Sequence, residues 1–265
     1  MAEGAAVNEK GLITLNLAEE TMIYFSKGYQ SCTNIGLRTD DANHIAYNLD
    51  LPDFLMKYKP VVLDNGLQLV YGFPGIIATG GMNSNFAVTT NSLPNLTMNL
   101  NGLPLPFMIR KLLMFSDQDE ALLFLENTPL GAPQNIMIAG RKGIQDIERS
   151  ANQHVRYEPP HNEQVVYHTN HPLVNTDFNL LADTSFQTCE RFSYLDQVFK
   201  KTSSEDSLLN RSILLQSITN RESGIRYEGN YFSFLASYPT NPKLPPIIEL
   251  LLPKSDTTTA LLQFR

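Results

Sequence analysis

Cys32, Asp50 and Asn170 are the residues of this 265-residue chain best suited to acyl-transfer chemistry. They lie in three short stretches, Cys32-Thr33, Asn48-Leu49-Asp50 and His168-Thr169-Asn170-His171. A thiol is a natural nucleophile toward a carbonyl carbon, yet an ordinary cysteine pKa of about 8.5 leaves little thiolate at neutral pH. An α-amine, with a pKa of about 7.7–8.0, is a base matched to that pH. Removal of residues 1–31 would give Cys32 both the nucleophile and its base. In such a maturation the Cys32 sulfur attacks the Ser31 carbonyl, the peptide bond becomes a thioester, and water hydrolyses it. A carboxylate such as Asp50 can orient the new ammonium and the thiol. An amide such as Asn170 can donate to the oxyanion, an effect on the order of 10²–10³ in rate.

Each of these residues also has an ordinary reading. A lone cysteine is often a small core hydrophobe, and Cys189, without matching neighbours, is read as a packing residue at a helix start. Asp50 can close a turn before Pro52, and Asp53 is a similar case. His168 and His171 have zinc-ligand chemistry, but no Cys or Glu stands near them at metal-ligand spacing. Gly80-Gly81 lacks the Lys-Ser/Thr of a phosphate-binding loop.

The elements that must hold these groups are mostly strands. Thr33–Leu49 alternates like a hairpin, and Val61–Val70 reads as a second one with Asp64-Asn65-Gly66 as its turn. Strand-like runs separated by Pro74, Gly75, Gly80 and Gly81 fill Phe73–Thr90. Pro106–Phe115 reads as a helix, and a further helix is expected from a Ser116 cap to about Glu126. Asn135–Ala139 and Gln164–His168 read as strands, Thr188–Lys200 and Ser204–Ile218 as helices, and Tyr231–Tyr238 and Pro246–Leu252 as closing strands. Residues 12–28 carry apolar side chains at helical spacing and end at Gly28, a C-cap type. This order fits an α+β fold of two sheets packed face to face with helices outside.

Composition excludes several classes. A formal charge of -7 and the absence of a basic stripe argue against a nucleic-acid partner. The longest apolar stretches, Leu67–Val70 and Ile247–Leu252, are too short to span a bilayer. Residues 1–25 lack the features of a secretory signal, so a cytoplasmic setting is expected. Two cysteines do not make a disulfide scaffold. The sequons at Asn95 and Asn210 are read as chance matches.

From about Ala2 onward the chain resembles the autoproteolytic cysteine acyltransferases of peptidase family C45, typified by acyl-coenzyme A:6-aminopenicillanic acid acyltransferase. More distantly it is similar to the choloylglycine hydrolases and penicillin V acylases. Cys32-Thr33 matches the scissile junction, and Asn48-Leu49-Asp50 matches the family's Asn-x-Asp. Phe73-Pro74-Gly75, Gly81-Met82-Asn83 and Val88–Asn91 match the strand block facing the nucleophile. His168-Thr169-Asn170-His171 is the most specific motif, and Phe232-Ser233 with Pro239-Thr240-Asn241-Pro242 resembles the closing strands.

The resemblance implies a four-layer αββα sandwich of the N-terminal-nucleophile type, with residues 1–31 as part of a pro-segment and 32–265 as the catalytic domain. It implies Cys32 as nucleophile, Asp50 as the group orienting its amine, and Asn91 and Asn170 as oxyanion donors. The family arginine is assigned to Arg226, with Arg221 as the alternative. Ala2-Glu3-Gly4-Ala5 resembles the middle of a longer family leader, which implies a start upstream or a trimmed form. The expected partner is a small-molecule amide or acyl donor, with no cofactor and no metal. The cleaved leader staying associated and self-association are both left open. Residues 52–60 and 94–107, with Phe54, Met56, Tyr58, Leu103 and Phe107, are the expected wall for an acyl or aromatic group, core or lid packing being the alternative. The competing reading is a relative that is not processed and serves as a binding or structural module.

Overall fold

Strand β1 (Thr33–Arg38) and strand β2 (Ala42–Asp50) form the expected hairpin, turned at Thr39, whose N–H donates to the Ala42 carbonyl. All nine residues of β2 are buried. A strand covered on both faces loses the polar alternation of a surface strand. The second hairpin, β3 (Val61–Asp64) with β4 (Gln68–Gly72), forms around Asn65, whose side chain accepts the N–H groups of Leu67 and Gln68. The computed structural model describes residues 8–11, 13–14, 32–51, 61–65, 67–72, 78–159, 164–180, 190–204, 209–221, 225, 230–251, 260–262 and 264. Most of the helix expected over 12–28, together with Phe73-Pro74-Gly75, Cys189 and Arg226, lies outside them.

The remaining strands are β5 (Gly80–Asn83), β6 (Phe86–Ser92), β7 (Gln134–Gly140), β8 (Gly143–Arg149), β9 (His154–Arg156), β10 (Val165–His168), β11 (Asn230–Pro239), β12 (Ile247–Leu251) and β13 (Ala260–Leu262). They build two antiparallel sheets. The first runs β10-β1-β2-β11-β12-β13, and the second runs β3 through β9 in chain order. Strands β8 and β9 were not expected. Asp146, Glu148 and Arg149 interrupt the apolar alternation of that stretch, although all three are buried. The loop between β7 and β8 is the two residues Arg141 and Lys142, closed by Gly143 at φ +122, a conformation open to glycine and strained for other residues.

Helices α1 (Leu105–Leu112), α2 (Gln118–Asn127), α3 (Glu190–Ser204) and α4 (Arg211–Thr219) cover the sheets. The α2 cap is Asp117 and not Ser116. Its carboxylate accepts from Asp119 N at 2.7 Å and Glu120 N at 3.4 Å, where an anion also meets the positive end of the helix dipole. Helix α4 starts at Arg211, later than expected, because Asn210 caps it through the N–H groups of Ser212 and Ile213.

Period-two alternation sorts the strand side chains into three cores. Ile45, Tyr47 and Leu49 of β2 join Phe232 and Phe234 of β11 and meet Leu69, Tyr71, Met82 and Met137 between the sheets. Phe86, Val88, Ile136 and Ile138 face the other way, onto Met108, Ile109, Leu112, Ala121 and Leu125 of α1 and α2. Ile35, Leu37, Ala46 and Leu235 pack on Leu195, Phe199, Leu214 and Ile218 of α3 and α4. The described chain is thus an α+β sandwich of two antiparallel sheets with helices on both outer faces. Each large side chain so buried contributes about 1.5–3 kcal/mol. Gly36 on β1 permits the close approach, since a Cβ there would meet Ile144 Cγ2 at 2.9 Å. Among the described residues no helix is long and apolar enough to cross a membrane.

Candidate active site

The register of β1 brings the sequence-selected residues together. Asn34 and His168 form the last pair of the β1–β10 ladder, so Cys32 and Asn170 each lie two residues beyond it, at the same end of the sheet. Thr33 pairs with Asn48 across β1 and β2, which brings Asp50 to the same end of the sheet. Cys32 is buried at 6 % exposure and packs with the aromatic residues between the sheets.

The Tyr47 hydroxyl and the backbone N–H of Asp50 lie beside the thiol and favour its charged form. Burial, then the Asp50 carboxylate, pushes the Cys32 thiol up from its ordinary value. The Tyr47 hydroxyl, the Asp50 N–H and the Arg191 guanidinium oppose that shift without cancelling it. The thiol of the intact chain is therefore protonated at neutral pH. Asp50 is fully buried and accepts from Asn230 Nδ2 at 2.9 Å. Asn48 points away from the thiol, and its Nδ2 donates to the carbonyls of Ile218 and Ile225, tying the end of α4 to β2.

Arg191 is the residue that sequence reasoning missed. From the first turn of α3 its Nη1 donates to the Cys32 carbonyl and to Thr33 Oγ1, both at 2.7 Å. Its Nη2 donates to Asn170 Oδ1 at 3.2 Å. A cation at a helix N-terminus opposes the dipole, so these acceptors offset an unfavourable position. The only signal in sequence was a basic residue two positions after Cys189, 159 positions from Cys32. Of the arginines selected from sequence, Arg221 is exposed, and Arg226 lies outside the described residues.

Asn170 Nδ2 donates to the Ser92 carbonyl at 3.1 Å, and Tyr47 donates to the Thr90 carbonyl at 2.8 Å. A hydrogen-bonded chain results, running from Tyr47 through the Thr90–Ser92 backbone, Asn170 and Arg191 to the Cys32 carbonyl. Asn91 sits inside this stretch of β6 and donates from Nδ2 to the His168 carbonyl at 3.0 Å, while its buried Oδ1 has no partner among the described residues. A side-chain amide carries two N–H groups, so Asn91 and Asn170 each keep one beyond these bonds.

Beside the thiol, Tyr47, Tyr71, Phe232 and Phe234 form an aromatic wall with ring centroids 5.1–6.2 Å apart. The Tyr71 hydroxyl is buried and has no hydrogen-bond partner among the described residues. Leu103, expected near the substrate, instead packs against the core under α1 and α2, on the far face of the second sheet. Phe107 is half-buried on α1, and Phe54, Met56 and Tyr58 lie outside the described residues.

On the other side of Cys32 the same layer is polar. Asn34 donates to Asn135, which donates to Asp146, and His168 pairs with Glu148 at 2.7 Å. Burial pushes Asp146 up to about 6. Burial alone would lower His168, but the Asp146 and Glu148 carboxylates outweigh it and hold the imidazole above its ordinary value. His171 is pushed down to about 4, first by burial and then by the His168 charge, so it is neutral. Among the described residues no set of three or more His, Cys, Asp and Glu side chains is grouped as metal ligands.

A family model described as acyl-coenzyme A:6-aminopenicillanic acid acyl-transferase matches residues 38–236, well over half of the chain. The matched span takes in Asp50, Asn91, Asn170 and Arg191 and begins just after Cys32. No curated protein matches the chain.

Proposed function

Because the chain belongs to the acyl-coenzyme A:6-aminopenicillanic acid acyl-transferase family, we propose that it is a self-processing amidohydrolase or acyltransferase working through a Cys32 thioester. Family membership supports acyl transfer or hydrolysis in general; the cysteine mechanism and the residue roles are our reading. In that reading the fold is the four-layer αββα sandwich of the N-terminal-nucleophile type, an assignment supported by two facing sheets with helices on both outer faces.

The observation that carries the reading is the hydrogen-bonded chain that ends on the Cys32 carbonyl. Arg191 grips the carbonyl of the nucleophile with one nitrogen and the amide oxygen of Asn170 with another. That grip orients the Asn170 amide so that its nitrogen, and not its oxygen, is turned away from the cation. A preoriented donor tied to the residue that bears the sulfur is what a developing oxyanion needs.

Maturation begins when the Cys32 sulfur attacks the Ser31 carbonyl carbon. The C–N bond breaks, the Cys32 nitrogen takes up a proton and becomes the α-amine, and water hydrolyses the resulting thioester. In turnover the α-amine takes the thiol proton, and the sulfur attacks the amide carbonyl of a small substrate. The oxyanion is held by Asn170 with Asn91, and the α-ammonium returns its proton to the leaving amine. Water or a second amine then resolves the thioester, giving hydrolysis or acyl transfer. Asp50, buried at the same end of the sheet, holds the ammonium. A freed ammonium also adds positive charge beside the sulfur, opposing the burial and the Asp50 charge that keep the thiol protonated. The aromatic wall of Tyr47, Tyr71, Phe232 and Phe234 suits an apolar acyl group.

Intact mass of wild type beside Cys32→Ala tests the reading. Loss of residues 1–31 is expected for wild type and not for the variant, and amide turnover is expected only from wild type. Both proteins whole and inactive would favour the alternative, a relative that is not processed and acts as a binding or structural module.

A further inference from the structure

Glu148 lies on β8 of the second sheet, and the proposed chemistry makes no use of it. Its carboxylate is fully buried and accepts four hydrogen bonds from one segment of the opposite sheet's chain. Oε1 takes His168 Nε2 at 2.7 Å and Leu173 N–H at 2.5 Å. Oε2 takes Val174 N–H at 3.2 Å and Asn175 N–H at 2.7 Å. The other nitrogen of His168 faces the Thr169 carbonyl at 2.7 Å. Neither a carboxylate nor a carbonyl can donate, so both ring nitrogens must, and His168 is an imidazolium. Glu148 is thus the anion of a buried ion pair as well as the acceptor for three backbone amides.

These contacts bracket Asn170. His168 stands two residues before it and Leu173 three after, and one carboxylate holds both ends of the turn. A third tie, Asn91 Nδ2 to the His168 carbonyl, fixes the same turn to β6. We infer that Glu148 is a positioning residue which sets the oxyanion donor Asn170 by clamping residues 168–175 across the two sheets. The inference rests on the role proposed above for Asn170. The clamp acts at a distance from the thiol: Glu148 touches no reacting atom, and its effect passes entirely through the backbone that carries Asn170.

Glu148→Gln keeps the volume but replaces one acceptor oxygen with a donor facing donors, and it removes the counter-charge of His168. Misplacement of a catalytic group by about 1 Å can cost on the order of 10²-fold in rate. We expect kcat on a small amide to fall by about 10–100-fold with KM within about twofold. The decisive measurement is a double-mutant cycle with Asn170→Ala: Glu148→Gln should cost nothing further in that background. An equal loss in both backgrounds, or no loss in wild type, overturns the inference. Should Glu148→Gln fail to fold, His168→Gln, which keeps a donor toward Glu148, enters the same cycle with the same expected non-additivity. If wild type turns over no amide or thioester at all, the functional reading fails by itself. Hydrogen exchange then decides the clamp: the amides of Leu173, Val174 and Asn175 should exchange more than tenfold faster in Glu148→Gln, and unchanged rates overturn it.

Discussion

The layer between the two sheets has two halves that work by different physics. Around Tyr47, Tyr71, Phe232 and Phe234 it is aromatic, and its contribution is area removed from water, which is tolerant of small shifts. Around Asn34, Asn135, Asp146, Glu148 and His168 it is polar, and every group depends on a partner at a set distance. Cys32 lies on the border, packed with the aromatic half while Asn34, two residues on, opens the polar half. The difference teaches where packing and geometry are separated: the aromatic side contributes buried area, and the polar side ties down the backbone on either side of Asn170. In the proposed mechanism Cys32, at the join, draws on both.

Breaking the aromatic half should give the largest loss of stability. Phe234 is fully buried among three other rings, and Phe234→Ala is expected to cost roughly 3–5 kcal/mol in chemical unfolding. A cost under about 1 kcal/mol would mean that this core is not closed as described. The edge of the polar half is tested by Asn170→Ala. Turnover should fall on the order of 10²–10³-fold while the unfolding midpoint moves little, and normal turnover of model amides would remove Asn170 from the oxyanion role.

Asp146 sharpens the contrast through pH. Its folded value of about 6 lies above the ordinary 3.8, so the folded state binds more protons than the unfolded chain between the two. Stability contributed by Asp146 is present below the unfolded value and is lost as pH rises from about 4 to about 6. Asp146→Asn should flatten that part of the stability profile, and an unchanged slope would place the titration elsewhere. The smallest effect belongs to Tyr71→Phe. Removing a buried hydroxyl without a partner among the described residues should leave stability unchanged or raise it by up to about 1 kcal/mol. Clear destabilisation would reveal a partner for the hydroxyl.

Local pattern made much of the frame readable. The hairpins over 33–49 and 61–70 follow from alternation and from Asn65 in the turn, and both form. Helix α2 was legible to within two residues because its cap chemistry is local; the choice of Asp117 over Ser116 depended on which side chain reaches the free amides. Strands β8 and β9 were illegible. An acidic residue in a strand reads as exposed unless its partner is known, and the partner of Glu148 is His168, 20 residues away.

Residue type and order, by themselves, determined the candidate chemistry: a cysteine followed by threonine, a carboxylate 18 positions on, and an amide in a histidine-flanked motif. They also determined the two-sheet α+β class, since alternation and turn residues act over a few positions. Only the tertiary structure decided that Arg191 joins Cys32 to Asn170, that Tyr47 and the Asp50 amide meet the thiol, and that Glu148 holds the turn between. Those contacts span 15 to 159 positions along the chain. Hydrogen bonds of that kind depend on which strands become neighbours and in what register, and no short-range periodicity records it.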